Sequence, residues 1–258
     1  MADPAPGATT RRRRYTTRAV LVAVALALVA VPFALLLLLV EDRWGPLSEA
    51  DLGARDGLHR FALTQPAFVW LMRAFSDSGS ALAWQLVMLA VVVWLLWRRL
   101  WRLALFVVVT TAVSSLLNTA VKAMVDRQRP VVAQPFVHEP GASFPSGHAQ
   151  AAVVGYGVLL LVFLPVLKGV WRRVAVTVAF VMVLGIGFSR VALAAHYVSD
   201  VLAGFVLGGA WLAAMAALFS AWRVQRGRPA VHPEEGLAPE DSERLNPAAS
   251  APGAPSRE

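Results

Sequence analysis

Every residue from Ala19 to Val40 is apolar. A helix rises 1.5 Å per residue, so the ~30 Å hydrocarbon layer of a bilayer takes about 20 residues of this kind. In that layer the backbone N–H and C=O groups must be satisfied within the segment, which makes the run a predicted helix. A cleavable secretory signal has an apolar core of about 7–15 residues followed by a small-residue site. This run is longer and ends in Glu41-Asp42-Arg43-Trp44. The arginines before it lack the rest of a twin-arginine signal. Further apolar runs follow at 81–97, 103–121, 149–167, 174–188 and 198–222. Charged residues make up only 16% of the chain, against about 25% in ordinary soluble domains. Mean hydropathy is +0.59. The prediction is an all-α polytopic membrane protein, a six-transmembrane-helix bundle over 19–222. Residues 1–18 and 223–258 are read as disordered tails rich in Pro, Ala and charge. Asp51 to Phe61 is read as an amphipathic surface helix, and Pro66–Phe75 as interfacial.

Charge gives the orientation. The net charge of +8 does not point to nucleic acid, because much of the excess sits in short clusters beside apolar runs. These are Arg11 to Arg14 with Arg18; Arg98, Arg99 and Arg102; Lys168, Arg172 and Arg173; and Arg223, Arg226 and Arg228. Alternate connections thus carry the basic clusters, the positive-inside pattern, and both termini are predicted cytoplasmic in an integral plasma-membrane protein. Trp97, Trp101, Trp171 and Trp222 lie beside those clusters, as interfacial aromatics do. The chain has no Cys, which excludes disulfides, thiolate metal sites and a Cys nucleophile.

The polar residues that interrupt the remaining connections fall on the opposite, extracytoplasmic face. After the third span come Lys122, Arg127, Arg129 and Pro130. Before the fourth comes Phe144-Pro145-Ser146-Gly147-His148. After the fifth come Ser189-Arg190, then His196 and Asp200. Lys122, Arg129 and Arg190 can neutralise a phosphate dianion, and Arg offers a planar fork of donors. Ser146 suits a helix cap, Gly147 lets backbone approach a ligand, and free N–H groups at a helix start favour an anion. His196 and Asp200 are four apart, and a sixth helix already begun at His196 places both on one face. A carboxylate on one ring nitrogen leaves the other free to attack phosphorus, with His148 available as general acid. No carboxylate cluster suited to two divalent ions is apparent, since Asp126, Glu139 and Asp200 are scattered. A metal-independent reaction without cofactor is expected.

Taken together, Lys122 with Arg129-Pro130, Pro145 to His148, and Ser189-Arg190 with His196 and Asp200 resemble the three motifs of the type 2 phosphatidic acid phosphatase superfamily. The resemblance covers residues 103–222. It implies His196 as the nucleophile that forms a phosphohistidine, Asp200 as its orienter and His148 as the leaving-group acid. It also implies Lys122, Arg129, Ser146, Gly147 and Arg190 as phosphate ligands. The superfamily includes soluble vanadium haloperoxidases, an activity not expected of a membrane chain. The expectation is a hydrolase of lipid phosphates or diphosphates. Undecaprenyl diphosphate ranks first as substrate, ahead of phosphatidic acid and phosphatidylglycerol phosphate. Two alternatives stand beside it. One is a phosphotransferase that uses a hydroxyl acceptor on the same phosphohistidine. The other is a non-catalytic lipid-phosphate binder or transporter.

Other polar residues are given plainer roles. Arg127 is read as a solvated loop charge, Asp126 as a partner for a neighbouring Arg, and Ser189 as supporting. His59, His138 and His232 are read as surface or loop residues. Gly204, Gly208 and Gly209 are read as close-packing positions.

Overall fold

The computed structural model describes residues 31–225 and 235–246. These residues form helices α1 (Val31–Glu41), α2 (Gly45–Thr64), α3 (Pro66–Ser78), α4 (Ala81–Trp97), α5 (Trp101–Val125), α6 (Gly147–Phe163), α7 (Gly169–Ala192) and α8 (Val198–Gln225). No strand occurs among the described residues. Helix starts follow local chemistry. Proline occupies the first turn of α2 and α3, where its missing N–H costs nothing. The Ser80 hydroxyl accepts from Ala83 N at 3.2 Å to open α4. Asp126 closes α5 in left-handed backbone at φ 44°, a conformation Asp tolerates better than most residues.

Beyond Gln150, α6 is apolar on every face but for Tyr156, and it sits at the centre, in contact with α4, α5, α7 and α8. A helix without a polar side belongs inside a bundle. Val154, Val158 and Val162 of α6 meet Trp84, Met88, Leu103, Phe106 and Met215 in the largest core cluster. Outward positions are also apolar. Leu86, Leu89, Leu105, Phe180 and Leu218 are all exposed, an arrangement stable against lipid and costly against water.

Three of the described helices, α5, α7 and α8, are long and apolar enough to cross a membrane. α3 and α4 pass the same test together as a pair bent by 43°, making four. The six expected spans are therefore not all reproduced. The fourth expected span is the shorter apolar helix α6, and the first survives as α1, its 19–30 portion lying outside the described residues. The supposed interfacial segment 66–75 is the first arm of the bent pair. The elbow lies at Gly79, where a Cβ would stand 2.5 Å from Ile186 Cγ2 of α7, so any larger residue there would force Ile186 to shift.

Two further readings shift. α2 is a 20-residue helix whose Asp51, His59 and Ala62 are buried. It packs on α7 and α8, and His59 lies against Phe136 at 5.2 Å between rings. Within the tail, residues 235–246 form a 3₁₀ turn and the short helix α9 (Ser242–Leu245), with Leu237 and Leu245 fully buried in the core. Leu237 N donates to Leu161 O at 2.8 Å. Arg223 donates to Leu237 O and pairs with Glu240. Arg98 Nε donates to Arg244 O at 2.6 Å. Apolar anchors were too sparse in the tail's polar composition to reveal this docking.

Candidate active site

The C-terminal ends of α5 and α7 and the N-terminal ends of α6 and α8 meet at one end of the bundle. The polar residues singled out in the sequence sit there, away from the docked tail. Two devices hold the helix ends in register. Asn118 Nδ2 of α5 donates to Gln150 Oε1 of α6 at 2.8 Å, and Gln150 Nε2 donates to Ser114 O and Ser114 Oγ at 2.8 and 2.9 Å. In apolar surroundings such amide bonds fix relative helix depth. This lock lies one turn below Lys122 and Gly147. On the other side of α6, Gly204 of α8 permits a close approach: a Cβ there would lie 2.6 Å from Ser146 O. Gly208 abuts Gln150 in the same way. Gly209 faces open space, so close packing explains two of the three glycines.

The start of α6 is bound directly to the start of α8. Ser146 N donates to Asp200 O at 2.9 Å, and the Ser146 hydroxyl caps Ala149 N at 3.5 Å. Gly147 approaches Asn118, whose Oδ1 would be 3.3 Å from an added Cβ. His148 occupies the first turn of α6, within electrostatic reach of Arg190, Glu139, His196 and Arg129.

His196, in the turn between α7 and α8, is 1% exposed. Its Nε2 lies 3.2 Å from Arg129 Nη1. A guanidinium has donors only, so Nε2 is the acceptor and the ring proton resides on Nδ1. Nδ1 faces Ser143 Oγ at 3.3 Å and Asp200 Oδ2 at 3.5 Å. Ser143 Oγ donates to Asp200 Oδ2 at 2.5 Å, leaving its lone pair for Nδ1–H. The tautomer thus follows from the partners. Burial pushes the His196 imidazole down to about 4, Arg190 and Arg129 add to the effect, and Asp200 opposes it. The ring is neutral at neutral pH, with an unprotonated nitrogen facing the cations.

Those cations are preorganised. Lys122 Nζ donates to Ala142 O at 2.7 Å. Arg129 donates to Gly141 O and Ala195 O, both at 3.0 Å. Arg190, 1% exposed, donates through Nη1 to Ser76 Oγ of α3 and through Nη2 to Glu139. Its Nε is buried without a hydrogen-bond partner. An unpaired buried donor costs about 1–3 kcal/mol, which an anion at this point would relieve. Ser189 Oγ turns back to Ile186 O at 2.7 Å, consistent with a supporting part.

Three residues have a larger place here than the sequence reading gave them. Glu139, read as scattered, bridges the clamp: it pairs with Arg190 and lies 3.2 Å from Arg129 Nη1. Burial opposes its charge, but Arg190, His148, His196 and Arg129 outweigh that and hold the carboxyl below its usual range. Arg127, read as solvated, bonds Asp200 Oδ1 at 2.6 Å and Asp51 Oδ2 at 2.9 Å. Asp51, read as part of a surface helix, is 1% exposed. Its partners Arg127 and Ser199 lie 76 and 148 residues away along the chain, so its position carried no local signal. Beside the clamp, a groove lined by Arg129, Val131, His138, Glu139 and Ala195 opens outward.

Such an arrangement can bind a tetrahedral anion between Arg129, Arg190 and Lys122 and present it to His196 Nε2. The model of the PAP2 superfamily matches residues 103–224. Phosphatidylglycerophosphatase B of Bacillus subtilis (strain 168) is 39% identical over 115 residues. That stretch is 43% of this chain and 55% of the relative, so the chain spans about half the length of the curated protein it matches. A Bacillus subtilis crystal structure described as the first transmembrane PAP2 type phosphatidylglycerolphosphate phosphatase is similar over 79% of this chain and 98% of that one. Its TM-score is 0.69 and its identity 25%.

Proposed function

We propose that this chain, whose residues 103–224 match the model of the PAP2 superfamily, is a member of that superfamily and a membrane phosphatase that removes the terminal phosphate of a lipid phosphate or diphosphate. The observation that carries the reading is the His196 ring. It is buried and neutral, with Nδ1 toward Ser143 and Asp200 and Nε2 toward Arg129. Arg129, Arg190 and Lys122 take the phosphoryl oxygens, with Ser146 and Gly147 at the positive end of α6.

The reaction has two steps. His196 Nε2 attacks phosphorus while the bond to the leaving oxygen breaks, and His148 gives that oxygen its proton. Asp200 stabilises the imidazolium character that develops as the phosphohistidine forms. Water then attacks the phosphohistidine, His148 takes the water's proton, and inorganic phosphate leaves. Each half-reaction returns His148 to the protonation state the other requires, and neither calls for a metal ion.

The curated match and the solved structure, both from Bacillus subtilis, carry phosphatidylglycerol phosphate in their names. That similarity moves this substrate ahead of undecaprenyl diphosphate and phosphatidic acid. The site-bearing end of the bundle is assigned to the extracytoplasmic face of the plasma membrane, with both termini cytoplasmic, on the strength of the basic clusters. Phosphate release by purified protein in detergent tests the reading. It is measured with the three lipids, in EDTA, and with His196→Ala as control. Release that vanishes in the variant is expected. No release from any lipid by folded protein, or dependence on Mg²⁺, overturns it. Transfer of labelled phosphate to an added alcohol in place of release would mark a phosphotransferase.

A further inference from the structure

The densest polar contacts at this end of the bundle lie behind the imidazole. Asp200 turns Oδ2 toward His196 and Ser143 and accepts Tyr197 N–H there at 2.9 Å. Its Oδ1 is held by Arg127 Nη1 at 2.6 Å. The second arm of the same guanidinium, Nη2, reaches Asp51 Oδ2 of α2 at 2.9 Å. Arg127 Nη1 also meets Ser199 Oγ at 2.7 Å, and the guanidinium carbon lies 4.3 Å from the centre of the Tyr197 ring.

Asp51 is equally committed. It accepts the Ser199 backbone N–H at 2.9 Å and the Ser199 hydroxyl at 2.5 Å, so it caps the first turn of α8 from another helix. Two buried carboxylates, on α2 and α8, are therefore neutralised by one fork of donors from the α5–α6 loop. Bidentate guanidinium pairs fix direction as well as charge. A carboxylate gripped on both oxygens cannot rotate, and the imidazole it faces keeps its orientation.

We propose that Arg127 and Asp51 are positioning residues for His196. Arg127 holds the Asp200 carboxylate in the plane that aligns the imidazole, and Asp51 holds Arg127. Their contacts are to Asp200, Ser199 and Tyr197, on the side of His196 away from the phosphate clamp, so their loss is felt in rate and not in binding. The inference rests on the phosphatase reading above.

The test is steady-state kinetics of phosphate release by the full chain in detergent, with thermal melting of each variant. Arg127→Gln is expected to lower kcat about 10- to 100-fold, as loss of such supporting contacts does, with KM within about threefold. Arg127→Lys recovers part of the loss, because it restores the charge without the fork. Asp51→Asn lowers kcat in the same direction. The double variant Asp51→Asn/Arg127→Gln is no worse than Arg127→Gln alone, since the two act in series. If Arg127→Gln does not fold, the kcat-against-KM split in Asp51→Asn decides. A rise in KM at unchanged kcat makes Arg127 a phosphate ligand and overturns the inference. Unchanged kinetics with lower melting temperatures overturns it too, leaving a structural pair. Wild-type protein inactive on every lipid phosphate sinks the phosphatase reading, and this inference with it.

Discussion

Replacing Glu139 with Gln should make the site bind inorganic phosphate more tightly. The carboxylate stands where a phosphoryl group would be expected, bonded to Arg190 and 3.2 Å from Arg129. Any anion that enters the clamp must first displace it. Gln keeps the shape and one acceptor but loses the charge. A hydrogen bond to a charged group contributes a net of about 1.5–3 kcal/mol, and two such contacts are weakened. Against this, the Glu139 side chain is 26% exposed, so solvent screens part of the interaction. A net gain for phosphate of about 1.4 kcal/mol, or tenfold in affinity, is the working figure. The assay is competitive inhibition of phosphate release by added inorganic phosphate, read as an inhibition constant in wild type and variant. A tenfold lower constant is expected, with slower turnover at high conversion as product lingers. An unchanged or higher constant would mean that Glu139 builds the clamp and does not compete for it, and the reasoning would fail.

Three further outcomes are expected. Gly204→Ala drives a methyl into Ser146 O, a contact of 2.6 Å. It should cost about 1–3 kcal/mol of stability and most of the activity, whereas Gly209→Ala, facing open space, should be silent in both. Gln150→Leu strands Asn118 and Ser114 in the bundle and should cost about 1–2 kcal/mol, seen as a lower melting temperature in detergent. The third concerns pH. His196 moves from an ordinary value of 6.5 to about 4 on burial, so the unfolded chain binds a proton in that window and the folded one does not. Stability falls as pH drops from 6.5 toward 4, by an upper figure of about 3 kcal/mol. His196→Gln should make that part of the melting-temperature profile shallower, and an identical slope in the variant would refute the assignment.

The site was legible to the extent that its chemistry was packed into short strings. His196 and Asp200 are four residues apart, although His196 lies in the turn before α8 and not on the helix face expected, and Pro145 to His148 forms a helix start. Their spacing announces local geometry. Glu139, Arg127 and Asp51 were not legible for the opposite reason. Each acquires its partner across a long loop or from another helix, and nothing in the flanking residues says which carboxylate meets which cation. Helices were legible where hydropathy alone decides, as in α5, α7 and α8. α4 was legible too, as the run 81–97, but its joining to α3 in one bent span was not, because the elbow at Gly79 meets Ile186 of another helix. The docked residues 235–246 were missed because two leucines in a polar stretch make no periodic signal.

The arginines at the end of the bundle opposite the candidate site, cytoplasmic in the proposed orientation, illustrate a difference between a chain being threaded into a bilayer and the finished protein. In the proposed orientation, Arg98 and Arg223 are positive charges that resist translocation during insertion and so help set which way the helices point. In the folded molecule the same side chains are sockets: Arg223 is 3% exposed and grips Leu237 O and Glu240, while Arg98 holds Arg244 O and Asn246 O. In the proposed orientation, a topogenic signal is thus reused as a fastening once its first task is over. The sign of the charge matters at the earlier stage and the number of donors at the later one. Lysine could replace these arginines as orientation signals, but not as forks that each hold two acceptors.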